Sequence, residues 1–323
     1  MLKNRKMSNK NLLGITLLGI ILMGSISTSV SANPTYQLAL TKGTEFFEIT
    51  KYDNDGWENT VGNITMPEDW FEGDSNKTGA QGKFTVKRWI YLNTSTYNMF
   101  LELMFSYEQF IAFMALSELG YNETEINNNY TNSYWLWYGL GAEWHFTDLE
   151  LNETADDSNS KIIILYHPED YKKFLDDYND LVETIKNDPD VPLSIKFQFS
   201  NITADELLWK LIFDGLAAAS PFNDYLNALI NELNVENATV NQNTIVIERY
   251  GVTNYTVEVS YGSKGTLSTF IVKDVNDQII YQITSYNTEW IFFTILITIG
   301  ISFAGIVSYL LFRKFKLNKS RKM

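Results

Sequence analysis

Residues 244–284 read TIVIERYGVTNYTVEVSYGSKGTLSTFIVKDVNDQIIYQIT, and this stretch decides the fold class. Four runs, Thr244 to Tyr250, Tyr255 to Tyr261, Thr266 to Lys273 and Gln278 to Thr284, are separated by pieces rich in turn-forming residues. In the second run Tyr255, Val257, Val259 and Tyr261 alternate with Thr256, Glu258 and Ser260. Successive strand side chains point to opposite faces, so the alternation predicts an antiparallel meander with one buried and one wet face.

Upstream, the period changes from two to that of a helix. Pro168 opens a segment with Glu169 and Asp170 in its first turn, and Tyr171, Phe174, Leu175, Tyr178, Leu181, Val182 and Ile185 form its apolar stripe before Asp188-Pro189. The capping box Thr203-x-x-Glu206 starts a second helix, expected to end near Ser220. Ser220 is expected to cap a third, with Pro221 first and Phe222, Tyr225, Leu226, Leu229, Ile230 and Leu233 on one face, so that the two form an αα-hairpin. From Tyr97 to Leu119, Phe100, Met104, Tyr107, Ile111 and Met114 recur at helical spacing and predict one buried helix stopped by Gly120. Before it, Glu45 to Tyr52 and Lys83 to Leu92 read as strands, with Asp55-Gly56 and Asn76 to Gly82 as turns. Strands, helices, then strands give an α+β class: an antiparallel sheet packed against helices, in one continuous domain over 33–284.

Charge places that domain. All 39 acids lie between Glu45 and Glu289, while ten of the 25 Lys and Arg flank two apolar segments outside it. Trp290 to Phe312 is 23 residues without an ionisable side chain, about 34 Å of helix, which predicts one carboxyl-terminal transmembrane helix after a stalk at 285–289. The basic tail at 313–323 marks the cytoplasmic side, so the acidic bulk is expected outside the cell. Lys3, Arg5, Lys6 and Lys10 precede the short apolar stretch Leu12 to Met23 and the small residues ending at Ala32, the three parts of a signal peptide over 1–32. Read as an uncleaved segment, it would instead add a second membrane helix. Gly300, Ala304 and Ser308 form a small-residue line through which transmembrane helices could self-associate.

The exterior span carries 39 acids against 15 bases, a formal charge of −24, which disfavours nucleic acid as a partner. With no cysteine and only His145 and His167, thiol catalysis and Cys-based zinc sites are excluded, and no metal, cofactor or catalytic residue is assigned. Asp53-x-Asp55-Gly56 resembles a fragment of a calcium loop, but Lys51 stands where a further acidic ligand is needed, so a hairpin turn is expected there. Nine Asn-x-Ser/Thr sequons, at Asn63, Asn76, Asn93, Asn122, Asn129, Asn152, Asn201, Asn237 and Asn254, fit a glycosylated surface protein.

Tyr134-Trp135-Leu136-Trp137-Tyr138 is followed by Trp144, His145 and Phe146, with Glu143 and Asp148 nearby. Trp135, Trp137, Tyr138 and Trp144 are candidate ligand-binding rings, because aromatic faces stack on sugars and paired acids can move protons. Buried sheet aromatics are the competing reading. Strand alternation puts Trp135 and Trp137 on one face, opposite Tyr134, Leu136 and Tyr138.

The turn Tyr261-Gly262-Ser263-Lys264-Gly265-Thr266-Leu267, between two alternating strands, resembles the late hairpin of LolA-like half-barrel domains, which often read Asp-x-x-Thr-Gly-x-Leu there. Here Gly262 and Lys264 depart from that pattern over the roughly 20 residues compared. The resemblance implies a curved sheet closing on helices and cradling a lipid or lipopeptide. In topology the chain also resembles uncharacterised single-pass surface proteins of archaea. Three functions follow: a surface binding domain for a protein or other partner, a lipid or apolar-ligand cradle, and a glycan-binding or glycan-hydrolysing ectodomain.

Overall fold

The structure, a computed structural model, describes residues 36–149, 158–214 and 216–286. The signal segment, the transmembrane segment with Gly300, Ala304 and Ser308, the basic tail and Asn152 lie outside the described residues. Among the described residues no helix is long and apolar enough to cross a membrane.

Nine strands build one antiparallel sheet: β1 (Gly43–Tyr52), β2 (Gln81–Ser95), β3 (Ser133–Thr147), β4 (Ser158–Leu165), β5 (Ala238–Asn241), β6 (Thr244–Tyr250), β7 (Asn254–Tyr261), β8 (Leu267–Lys273) and β9 (Ile279–Tyr286). Their order is β4-β3-β2-β1-β9-β8-β7-β6-β5, and the sheet curls into a half-barrel with helices, an α+β fold. The first and last strands of the chain meet at its centre, where Ile49 faces Ile283 and Phe47 faces Ser285. β9 continues through Ser285 and Tyr286, the first two residues of the stretch read as a stalk.

The helices are α1 (Asn54–Thr60), α2 (Thr96–Met99), α3 (Tyr107–Ala115), α4 (Glu123–Asn129), α5 (Asp170–Asn187), α6 (Leu193–Lys196), α7 (Ala204–Phe213) and α8 (Phe222–Leu233). The stripe expected for α5 is buried throughout, and α7 and α8 each pack against it. The outer edge of β4 is closed by side chains. Leu165 N–H donates to the Tyr171 hydroxyl at 3.1 Å, and the Tyr225 hydroxyl donates to Leu165 C=O at 2.6 Å. With the two hydroxyls 3.4 Å apart, Tyr171 donating to Tyr225 satisfies every group, so α5 and α8 cap an edge that would otherwise expose unpaired backbone.

Four local expectations are corrected. The segment 97–119 is not one buried helix. α2 runs into a π-helical turn over Phe100–Met104, Phe105 is extended, and a capping box at Ser106 and Gln109 starts α3. Phe100 and Met104 are buried, but Tyr107, Ile111 and Met114 are exposed, because the new cap turns the stripe away from the core. Asp53 makes no hairpin turn; it N-caps α1, accepting from Gly56 N–H at 3.0 Å. α7 ends at Phe213, not near Ser220, and residues 216–220 bond to other partners. Ala218 N–H donates to Gly265 C=O at 2.7 Å, and Ser220 exchanges both backbone bonds with Gln37. Ser220 therefore does not cap α8, whose N-cap is Pro221, and the eight-residue connection 214–221 replaces the expected tight αα-hairpin.

Candidate functional site

A depression with a volume of about 720 Å³ lies inside the half-barrel. Seven of the nine strands reach it. Glu45, Phe84 and Glu143 sit opposite one another across β1, β2 and β3, so the pleat sends them to the same side of the sheet, and all three line the cavity. Phe47, Ile162, Val259, Leu267 and Ile283 extend the apolar part of the wall, and Leu103, Leu211 and Ala217 approach from the helices.

Two glycines make this wall possible. A Cβ at Gly141 would stand 2.6 Å from the Phe84 ring, so the bare backbone of β3 is what lets that ring lie across it. A Cβ at Gly73 would stand 2.1 Å from Phe146 C=O, and its φ of +82° is one that side chains rarely adopt. At this glycine the loop after α1 is tied to β3: Asp74 N–H donates to Phe146 C=O at 2.7 Å, and Phe146 N–H to Glu72 C=O at 3.2 Å. The tie delivers Trp70, Phe71 and Glu72 to the cavity. Behind them Trp57, Trp209, Phe213, Phe270 and Tyr281 form an edge-to-face ring cluster, with Phe71 and Phe270 centroids 5.0 Å apart.

Charged groups are set into this apolar frame mostly as pairs. Lys161 Nζ is 2.5 Å from Glu102, His145 Nε2 is 2.7 Å from Glu72, Lys210 is 2.7 Å from Asp214, and Lys264 is 3.5 Å from Glu45. Glu143 keeps accessible surface because it faces the open space, yet protein surrounds it on most sides. That desolvation raises its carboxyl above the usual range, opposed by a hydrogen bond from Ser160 and by His145. Two polar atoms of cavity-lining residues have no hydrogen-bond partner: Glu68 Oε2 and the hydroxyl of Tyr261, a residue 1% exposed.

The aromatic run of β3 divides as strand alternation requires. Tyr134 turns to the helices and donates to Asp177 at 2.8 Å, and Tyr138 donates to Glu102 at 3.4 Å. Burial and these carboxylates push both phenols up. Trp135 and Trp137 gather on the other face with Tyr91 and Tyr166; Tyr91 and Trp135 stack at 5.1 Å. Trp137 is buried, Trp135 and Tyr138 are half-buried, and the Trp144 side chain lies outside what is described. None of the three described rings lines the cavity.

Glu143 and Asp148 do not come together there. Asp148 is absent from the lining, and its carboxylate takes Lys77 at 2.8 Å. Of the eight described sequons, none has a buried asparagine; Asn63, Asn129, Asn201 and Asn254 are exposed. Asn237 is committed, since its Nδ2 donates to Asp205 at 2.9 Å and to Glu248 C=O at 3.1 Å.

The sequence pointed to the cavity through the 261–267 hairpin, where Tyr261, Thr266 and Leu267 line it, and through Glu143. It missed Phe84, Trp70 and Phe71. The signals for them were two glycines that the sequence reading did not use, Gly141 on the strand opposite Phe84 and Gly73 directly after Trp70-Phe71-Glu72. No protein-family model, curated protein or solved structure matches this chain.

Proposed function

We propose that this domain is an apolar-ligand or lipid cradle, displayed outside the cell on the single membrane helix that the sequence encodes. The observation that carries the reading is the cavity: about 720 Å³, walled by strands, glycine-supported rings and helix termini of one domain. That volume lies within the ~300–1,000 Å³ that holds one small molecule, and its combination of apolar wall and few polar groups suits an amphiphile. The half-barrel closing on helices, and the placement of the 261–267 hairpin at its wall, support the LolA-like resemblance at the level of shape.

The test is extraction and mass spectrometry of small molecules from full-length protein purified out of its membrane. An alkyl or isoprenoid compound near one per chain is expected, and Ala217→Phe or Leu267→Trp, which fill the cavity, should lose it while remaining folded. Protein that carries nothing and takes up no apolar probe such as Nile red removes the proposal. Protease added outside intact cells should digest residues 33–289 and spare an epitope after Arg313; protection of the domain would overturn the topology.

A second reading rests on one observation. Glu143, raised by burial and close to the Glu72–His145 pair, is what a proton-transferring glycan hydrolase would use. Release of sugar from oligosaccharide libraries, abolished by Glu143→Gln, would favour it over the cradle.

A further inference from the structure

The register of three strands sets where the domain stands relative to its tether. Phe46 of β1 faces Tyr286 of β9 on one side and Lys83 of β2 on the other, so the three lie at one level. β9 ends at Tyr286, and Trp290 opens the apolar 23-residue segment four residues on, a step that even a fully extended chain covers with no more than about 14 Å. β2 and β9 are each antiparallel to β1 and so run the same way. Beyond the level at which the chain departs for the membrane, β2 continues to Ser95.

That continuation has an open side. β1 begins at Gly43, whose partner is Val86, and from Lys87 onward β1 offers β2 nothing to pair with. Lys87, Arg88, Trp89 and Tyr91 are all exposed, the two rings at 37% and 38%, and Lys42 is exposed at the adjoining end of β1. Among the described residues no carboxylate lies within ion-pairing distance of Lys42, Lys87 or Arg88, although the domain is strongly acidic and Lys161, Lys210 and Lys264 each hold one. Tyr91 is braced from behind, stacked on Trp135 at 5.1 Å and touching Trp137 and Tyr166.

From Lys87 to Ser95 this part of β2 is about 26 Å long. It cannot run into hydrocarbon, where an open strand edge finds no hydrogen-bond partner. On so short a tether the sheet has to lean, either laying the strand along the lipid headgroups or lifting it into water. The side chains favour the headgroups: indole and phenol rings suit a layer that is apolar on one side and wet on the other, and Lys and Arg bind lipid phosphate. Acids elsewhere on the domain do not cancel that attraction beyond a Debye length of about 8 Å at physiological salt.

We propose that Lys42, Lys87, Arg88, Trp89 and Tyr91 form a docking surface for the outer face of the membrane that anchors the chain. The cations take the phosphates of anionic lipids, the rings sit at headgroup level, and the contact holds the domain in one orientation on the bilayer. The proposal rests on the membrane helix of the reading above and not on the cavity.

The chain has no cysteine, so a fluorophore on a single introduced one reports a single position. Full-length protein is reconstituted into phosphatidylcholine vesicles containing phosphatidylglycerol, with a nitroxide on the lipid acyl chain near the headgroup as quencher. Tyr91→Cys reports the surface, and Lys42→Cys reports it with every ring intact. Ile295→Cys reports the apolar segment, and Val275→Cys the turn at the opposite end of the sheet, 67% exposed. Quenching at positions 91 and 42 should exceed that at 275 about fivefold or more, and Lys87→Glu with Arg88→Glu should bring position 42 down towards the level of 275. Equal quenching at 42, 91 and 275 overturns the proposal and leaves the membrane helix and the cradle standing. Charge reversal without effect overturns the assignment to lipid phosphate. Absence of quenching at 295 removes the membrane helix itself, and the docking surface with it.

Discussion

The two arms of the sheet do different work. From β5 to β9 the alternation is nearly unbroken: Ile245, Ile247, Val257, Val259, Tyr261, Phe270, Val272, Tyr281 and Ile283 are all buried, and the hairpins are short. In the arm from β1 to β4, β2 and β3 run 15 residues each and their pairing shifts register between Gln81 and Lys83 and between Val86 and Arg88, while the other arm shifts once in each of two pairings, at Ser260/Tyr261 and Val272/Lys273. The β1 to β4 arm carries the bare backbone of Gly139 and Gly141, and it places Glu45, Glu143 and His145 on a wall where the other arm places aliphatics. Its two buried tyrosine contacts at the β4 edge hold it in place from outside the pleat. The regular arm is a packed core, and the irregular arm gives up some packing to make room. Perturbing the first should therefore cost stability, whereas perturbing the second should cost binding.

The largest effect is expected at Phe270. It is fully buried and touches Trp70, Phe71, Phe213 and Tyr281. Phe270→Ala should lower unfolding free energy by about 3–5 kcal/mol, since the surrounding rings cannot collapse into the space. Urea denaturation of the full chain measures it. A loss below about 1 kcal/mol would show that the regular arm is not the packed one.

Next comes the joint between the meander and the helices. Gly265 has φ of +79°, and a Cβ there would stand 2.1 Å from Ala218 C=O, the residue whose N–H it binds. Gly265→Ala should cost about 1–3 kcal/mol and loosen the 216–219 segment at the cavity wall. Increased hydrogen exchange at Ala218, with little change in β5 and β6, is the expected signature.

How much of this was legible depended on where the information lay. The meander strands and the buried stripe of α5 could be read because a period of two or of 3.6, sustained over many residues, reports one face against one core. Local chemistry that competes with the period was harder. The Ser106 and Gln109 capping box interrupts a helical pattern that runs straight across it, and the path of 216–220 is set by Gly265 and Gln37, partners far away in sequence. The cavity was the least legible part. It depends on which side of a bulged strand faces inward, and a one-residue bulge such as that near Lys87 reverses every later assignment. Trp135 and Trp137 were conspicuous as residue types, yet they do not line the cavity, whereas Trp70, Phe71 and Phe84, brought in by two glycines, do.

Phe84 separates the two arms from the other side. It is half-buried and lies over Gly141 at the cavity wall. Phe84→Ala should cost only about 1–2 kcal/mol of stability, because part of the ring already faces open space. Affinity for an apolar probe should fall at least tenfold. Nile red titration beside a melting curve distinguishes this from Phe270→Ala; equal stability losses at the two sites would erase the contrast between the arms.

The smallest effect is one of sign, and it contrasts Glu143 with Asp74. Glu143 is raised above 4.5 by desolvation, so as pH falls through the raised value the folded protein takes up its proton before the unfolded chain does. Its contribution is unfavourable at neutral pH, eases on acidification, and is fully relieved below about 4.5. Asp74 runs the other way: the hydrogen bond from Lys77 and the backbone N–H of Asp148 lower it below 3.8. Its stabilisation is present above that value and disappears as pH falls through the lowered one. Glu143→Gln should therefore be slightly stabilising at pH 7 and neutral near pH 4, whereas Asp74→Asn should be slightly destabilising at pH 7 and neutral only at lower pH. Melting temperatures of both variants against wild type from pH 3 to 7.5 measure the two slopes. A Glu143→Gln difference that does not change with pH would mean that the carboxylate stands in ordinary solvent.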